Sequence, residues 1–157
     1  MALRALHQGN IDIGVLQELK LTQGIHTWNG SGYDVWATEA EIHHRGGIAV
    51  AWRAKAGWQV EGFANYGPNM VSVWVTMGQQ RWYVVGAYVN TKYDPTVAQV
   101  EQALWKAAKG TEVILLGDLN VRLQEPHEAQ EEELAMVVAA CGLKDMTSHF
   151  IPRRRYR

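Results

Sequence analysis

Residues 113–120, Val-Ile-Leu-Leu-Gly-Asp-Leu-Asn, run from four consecutive apolar side chains straight into a carboxylate, Asp118, and a carboxamide, Asn120. An ionised carboxylate only accepts hydrogen bonds, whereas a carboxamide both donates and accepts. Two residues apart on an extended backbone, the two side chains point the same way, with α-carbons about 7 Å apart. Gly117 lets other backbone or a ligand come close. A buried strand that ends in paired polar groups at its carboxyl end is a common way to build a site. A second apolar stretch, Ile11 to Leu16, ends in Gln17-Glu18, so a second strand delivers a carboxylate far upstream of Asp118. The bland reading stands beside this one. Asp and Asn after a strand also serve as turn residues that bond their own backbone, and Glu18 taken by itself reads first as an exposed strand-end acid. Other stretches must decide.

The elements that would position these groups follow from the pattern. An unbroken run such as Val113 to Leu116, led by β-branched residues, reads as a strand buried on both faces. Leu3 and Leu6 have helical spacing over residues 2–8, and Gly9-Asn10 stops that helix. Lys20 to Gly32 reads as loop with a short helix around Ile25. Tyr33 to Thr38 reads as a strand, His43 to Gly47 as a polar turn, and Ile48 to Trp52 as a strand that the glycine pair introduces. In the strand Trp58 to Phe63, Phe63 alternates onto the face of Gln59 and Glu61. Met70 to Met77 and Trp82 to Val89 form a hairpin around Gly78-Gln79-Gln80. Asp94 or Thr96 caps a helix reaching about Lys109, with Val97, Val100 and Leu104 on one face. Ala129 to Cys141 is a helix with Leu134, Val137, Val138 and Cys141 inward, acids near its start and Gly142 at its end. Strands in succession with helices between some of them predict an α/β (α+β) fold. Its form is a four-layered sandwich of two packed, mainly antiparallel sheets with outer helices.

Length and composition set bounds. The chain has 157 residues, 47% of them hydrophobic, and a formal charge of −1. That suits one domain with a substantial core and carries no global basic field. The expected organisation is a partial domain over residues 1–150 and a basic tail over 151–157, where Arg153, Arg154 and Arg155 offer phosphate contacts or simply a solvated end. The single cysteine, Cys141, excludes an internal disulfide framework and suits an intracellular setting. It reads as a small buried hydrophobe. No stretch has the apolar length of a membrane span. His43-His44 reads as solvated loop, since neighbours on a strand face opposite ways. Seven tryptophans could stack on bases, but core packing is expected for Trp52, Trp74 and Trp82.

Four stretches together resemble the endonuclease/exonuclease/phosphatase superfamily, most nearly the endonuclease domains of non-LTR retrotransposons. Residues 12–18, Asp-Ile-Gly-Val-Leu-Gln-Glu, resemble its strand ending in Gln-Glu. Residues 45–50, Arg-Gly-Gly-Ile-Ala-Val, resemble its Gly-Gly strand. Residues 85–88, Val-Gly-Ala-Tyr, resemble the strand ending in a phosphate-contacting tyrosine. Residues 117–120, Gly-Asp-Leu-Asn, resemble its Gly-Asp-Phe-Asn. Other family features have no counterpart: an opening strand ending in asparagine, a Ser-Asp-type pair and a last strand carrying Asp-His. Three residues after Tyr88 stands Thr91, with Asn90 one earlier, and His149 is followed by Phe150-Ile151-Pro152. The expectation is the middle of the fold, truncated at both ends.

The resemblance implies hydrolysis of a phosphodiester by in-line attack of water, as in an endonuclease nicking DNA, with Mg²⁺ or Mn²⁺ as cofactor. Glu18 would be the metal ligand and Asp118 the group that orients or deprotonates the water. Asn120 would hold the water and a phosphate oxygen, and Tyr88 would bond the phosphate. The implied partner is DNA, with no membrane, in an intracellular setting that includes the nucleus. Exposed sheet edges would favour a homodimer. Two rivals are a non-catalytic remnant that folds, self-associates or binds nucleic acid weakly, and a phosphatase acting on inositol phosphates or phospholipids.

Overall fold

β-Branched and aromatic runs separated by glycine turns build most of the chain. The computed structural model describes residues 2–21, 26–40, 46–54, 57–89, 96–107, 110–123 and 125–146. These fall into two compact units that divide after Asn120. The readings made for His43-His44, Asp94, Asn90, Thr91, His149 and the arginine tail lie outside the described residues.

The first unit opens with helix α1 (Ala2–Gln8) and then places strands β1 (Ile13–Leu16), β2 (His26–Gly30), β3 (Tyr33–Ala37) and β4 (Ala49–Arg53) in an antiparallel sheet of order β1-β4-β3-β2. A second sheet of order β5-β6-β7-β8 holds β5 (Gln59–Asn65), β6 (Met70–Met77), β7 (Gln80–Tyr88) and β8 (Glu112–Asp118). It is antiparallel except between β7 and β8, which helix α2 (Thr96–Lys106) connects. A crossover helix returns the chain to the end of the sheet where the previous strand began, so the next strand runs parallel. The sheets pack face to face: Trp36, Ile48 and Val50 meet Val71, Val73, Val75 and Val84, with Ile13, Val15, Trp52, Trp82 and Leu116 around them. Leu3 and Leu6 of α1 cover the outer face of the first sheet against Tyr33, Val35, Ala37, Ala49 and Ala51. Helix α2 lies against β6 and β7 with Val97, Val100, Ala103 and Leu104 buried. Helix, sheet, sheet and helix make the four expected layers.

Four local expectations change. The short helix expected around Ile25 lies outside the described residues, and His26–Gly30, expected as loop, is strand β2. Gly30 pairs with Tyr33 across Ser31-Gly32, whose φ angles of 54° and 81° give the two-residue hairpin turn that matches strand twist. The β6–β7 turn is two residues, because Met77 pairs with Gln80. In β5 the register shifts between Glu61 and Ala64, at Gly62 with φ 61°. That bulge reverses the alternation and stacks Phe63 on Trp36 at 4.9 Å, on the core side rather than beside Glu61. Finally, β8 is not buried on both faces. It ends its sheet, and Ile114 is 37% exposed.

Of the three tryptophans expected in the core, Trp52 and Trp82 pack between the sheets. Trp74 packs against Tyr83 in a tilted pair with ring centroids 4.7 Å apart, and the Arg81 guanidinium lies 4.3 Å above its ring. That side is the opposite one, because Trp74 alternates with the core valines Val73 and Val75. In the second unit, helix α3 (Ala129–Ala140) buries Leu134, Val137 and Val138. Cys141 is its C-cap and only partly buried, and Gly142 (φ 68°) ends the helix. The Glu131 carboxylate accepts the backbone N–H groups of His127 at 2.6 Å and Arg122 at 3.2 Å. It therefore closes the loop before the helix as well as complementing the helix dipole.

Candidate active site

Strand β1 ends at Leu16, and strict alternation would aim Gln17 and Glu18 to opposite faces. The backbone breaks that rule. Glu18 is left-handed, with φ 54°, a conformation that costs a non-glycine residue about 1–3 kcal/mol and persists only where surroundings enforce it. Here the enforcing bonds come from the glycine pair. The Leu19 N–H donates to Gly47 O at 3.1 Å and the Lys20 N–H to Gly46 O at 3.2 Å. Gly46 and Gly47 are themselves left-handed, at 78° and 85°. A β-carbon on Gly46 would lie 2.7 Å from Asn69 Oδ1 and 3.1 Å from Pro68 Cβ. The same loop ties in the second sheet, because Gly47 N–H donates to Pro68 O and Tyr88 N–H to Asn69 O, both at 2.8 Å.

As a result Gln17 and Glu18 both reach the opposite sheet. Gln17 Nε2 donates to Ala87 O at 3.1 Å, and the Tyr88 hydroxyl donates to Glu18 Oε1 at 3.0 Å. Tyr88 pairs with Asp118 across the parallel β7–β8 ladder, which places the two side chains on one face. The Val89 N–H donates to Asp118 O at 3.0 Å, fixing the end of β8. Gln17, Glu18, Tyr88 and Asp118 line a single open cleft of about 400 Å³, together with Ala2, Val15, Leu16 and Leu19.

Asn120 is adjacent but does not line that cleft. The strand stops at Asp118, and Asn120 is left-handed at φ 46°. Its N–H donates to Asp118 Oδ1 at 3.0 Å, and its side-chain Nδ2 donates to Val89 O at 2.9 Å. The paired, parallel side chains expected for an extended Asp118-x-Asn120 are therefore absent. The chain turns here, with Asp118 bonding its own backbone two residues on, as turn chemistry allows. One carboxylate oxygen is thereby held in place. Arg153, Arg154 and Arg155 lie outside the described residues.

Two carboxylates and no cationic side chain line the cleft among the described residues. Such a site attracts cations and repels a bare phosphate. No group of three or more His, Cys, Asp or Glu side chains converges among the described residues. That donor set does not suit zinc, which takes three or four protein ligands. It suits magnesium, which binds through one or two carboxylates and keeps several waters. The residues that sequence reading passed over are Gln17 as a cross-sheet donor and the Gly46-Gly47 and Pro68-Asn69 clasp. The glycine pair was visible, but its partner loop was not.

A family model described as the endonuclease/exonuclease/phosphatase family matches residues 2–131. The chain belongs to that family. Among solved structures, the endonuclease domain of TRAS1, a telomere-specific non-LTR retrotransposon, superposes with a TM-score of 0.63 at 13% identity. The match covers 89% of this chain and 64% of that one. A humanized D. rerio TDP2 gives 0.54 at 16% identity, over 90% of this chain and 61% of that one. D. rerio TDP2 complexed with single-strand DNA product gives 0.51 at 18% identity, over 90% and 56%. These likenesses establish the family fold, and the chain spans under two-thirds of the length of each. No curated protein matches the sequence.

Proposed function

We propose that this chain is a divalent-metal-dependent phosphodiesterase that acts as an endonuclease on DNA. One observation carries the reading: acids from two sheets, Glu18 and Asp118, face one cleft, with the Tyr88 hydroxyl bonded to the first of them. The DNA substrate is supported by the nucleic-acid context of the structural neighbours, a retrotransposon endonuclease domain and a TDP2 bound to single-strand DNA product.

In this reading Glu18 holds Mg²⁺ or Mn²⁺, and the ion, when bound, neutralises charge on the phosphate and on the leaving oxygen. Tyr88 orients the Glu18 carboxylate by donating its one hydroxyl proton to it; turned away from Glu18, the same proton would bond a phosphate oxygen. Asp118 accepts the proton of the attacking water on the carboxylate oxygen that the Asn120 N–H leaves open. Asn120 acts by fixing Asp118 and the end of β7, since its amide is engaged by Val89 O. The water oxygen bonds to phosphorus as the bond to the leaving sugar oxygen breaks, and a solvent water protonates that oxygen, giving a phosphomonoester and a hydroxyl. The arginines at 153–155 would add salt-dependent phosphate contacts.

The test is nicking of supercoiled plasmid in Mg²⁺ by the full chain and by Asp118→Ala. Nicking by the first and its loss in the second are expected, and equal nicking by both would remove the proposal. A second reading has one observation in its favour: no histidine lines the cleft among the described residues. In that reading the chain binds nucleic acid without cleaving it, and gel-shift binding with no nicking by the unmodified chain would support it.

A further inference from the structure

Two consecutive residues of one sheet bond two consecutive residues of the other: Gln17 to Ala87, and Glu18 to Tyr88. The second bond belongs to the proposed site. The first has no role in it so far. We propose that Gln17 is a positioning residue that sets the separation between Glu18 and Asp118 across the cleft, an inference that rests on the phosphodiesterase reading above.

The geometry converges on the Ala87 carbonyl. Gln17 Nε2 donates to that oxygen at 3.1 Å. Gly117 lies against the same oxygen so closely that a β-carbon there would stand 1.9 Å from Ala87 O and 2.8 Å from Gln17 Nε2. The residues that follow Gln17 and Gly117 are Glu18 and Asp118. One contact point thus fixes both backbones a single peptide short of the two acids. Below it, the sheets are held by apolar contact. A β-carbon on Gly86 would lie 2.9 Å from Val15 Cγ2, so this glycine lets β1 settle on β7. Apolar contact is non-directional and sets only how near the sheets come. A hydrogen bond has a preferred length and angle and also resists sliding. Gln17 therefore supplies the lateral register that Val15 and Gly86 cannot. Charge explains why an amide is used. A carboxylate at this position would face a carbonyl oxygen and add a third negative group beside Glu18 and Asp118.

The experiment compares the full chain with Gln17→Met, which keeps length and bulk without the donor, and with Gln17→Glu, which keeps shape but opposes acceptor to acceptor. Four quantities are read: kcat and KM for nicking, the Mn²⁺ dissociation constant by electron paramagnetic resonance, and the urea midpoint. Loss of a group that orients a metal ligand lowers activity or metal affinity by about tenfold or more. The expected result is that loss in kcat and in Mn²⁺ affinity for both variants, with KM nearly unchanged and the Gln17→Met midpoint lowered by no more than about 0.5 M, the loss of one hydrogen bond. Unchanged kcat and Mn²⁺ affinity in both, while Asp118→Ala abolishes nicking, overturn the role of Gln17 and leave the phosphodiesterase reading intact. If instead Asp118→Ala nicks normally and Glu18→Gln binds Mn²⁺ normally, the reading itself fails, and this inference with it. A measurement on the unmutated chain covers the case of an unfolded variant. The Gln17 side-chain amide signals should shift on Mg²⁺ titration, and silence there overturns the proposal.

Discussion

Gly117→Ala puts a methyl group where the structure leaves no room for one. Gly117 has φ 139°, and enforcing such a conformation on an L-residue costs about 1–3 kcal/mol. The new β-carbon would lie 1.9 Å from Ala87 O and 2.9 Å from Ala87 C. Both atoms are backbone of β7, an interior strand bonded on both sides, so the yielding partner is β8. Its displacement breaks the Val89-to-Asp118 backbone bond and strains the Gln17 contact, at about 1 kcal/mol each. The sum is about 3–5 kcal/mol, a large share of the roughly 5–15 kcal/mol by which a domain is stable. With a urea slope of about 2 kcal/mol/M, the midpoint falls by about 1.5–2.5 M. Gly78→Ala is the matched control. Gly78 is also left-handed, at φ 61°, but a β-carbon there meets nothing within 4 Å. Its cost is the backbone term alone, about 1–2 kcal/mol. Urea unfolding followed by tryptophan fluorescence measures both. A Gly117→Ala midpoint equal to that of Gly78→Ala would refute the claim that β7 and β8 close on this glycine, and with it the placement of Asp118.

Two further outcomes concern ionisation. Burial pushes the Tyr83 hydroxyl up to about 12, against the lowering effect of its bond to Ser72, from an ordinary value of 10.0. A pKa raised on folding stabilises below the unfolded value and ceases to as pH passes the folded one. The chain should therefore lose stability between about pH 10 and 12. Tyr83→Phe should flatten that limb in alkaline urea titrations, and an unchanged limb would assign it elsewhere. The bond from the His127 N–H, ahead of that from Arg122, holds the Glu131 carboxyl below its ordinary 4.5. The stabilisation of the loop before α3 is present above that value and is lost as pH falls through the folded one. Glu131→Gln should remove the acid-dependent part of the helical signal in circular dichroism, whereas an identical acid transition in both proteins would contradict the capping role.

The order of elements was legible because each depends on a local pattern. Residues 70–77 alternate, so β6 has one core face, and Gly142 follows the last turn of α3. The failures are equally local in cause. Simple alternation puts Phe63 on the wrong face because one left-handed glycine, Gly62, inserts a residue into β5 and inverts everything beyond it. The apolar run Val113 to Leu116 has the composition of a central strand but ends its sheet, and hydrophobicity does not reveal how many neighbours a strand has. Asn120 was expected beside Asp118 on an extended backbone, yet it turns away to bond Val89 O.

From the sequence alone came the residue types and their order: an acid after one apolar run, a tyrosine after another, and Gly-Asp-x-Asn after a third. Those are enough to suggest a family, because strand ends and glycine turns are written in short stretches. Tertiary structure alone decided that Glu18 leaves the strand pattern in a left-handed conformation and meets Tyr88 on the other sheet. The reason is that this conformation is unfavourable by itself. It is maintained by bonds to the Gly46 and Gly47 carbonyls, with Gly47 held in turn by Pro68, residues distant in the chain that become neighbours only when the strands assemble.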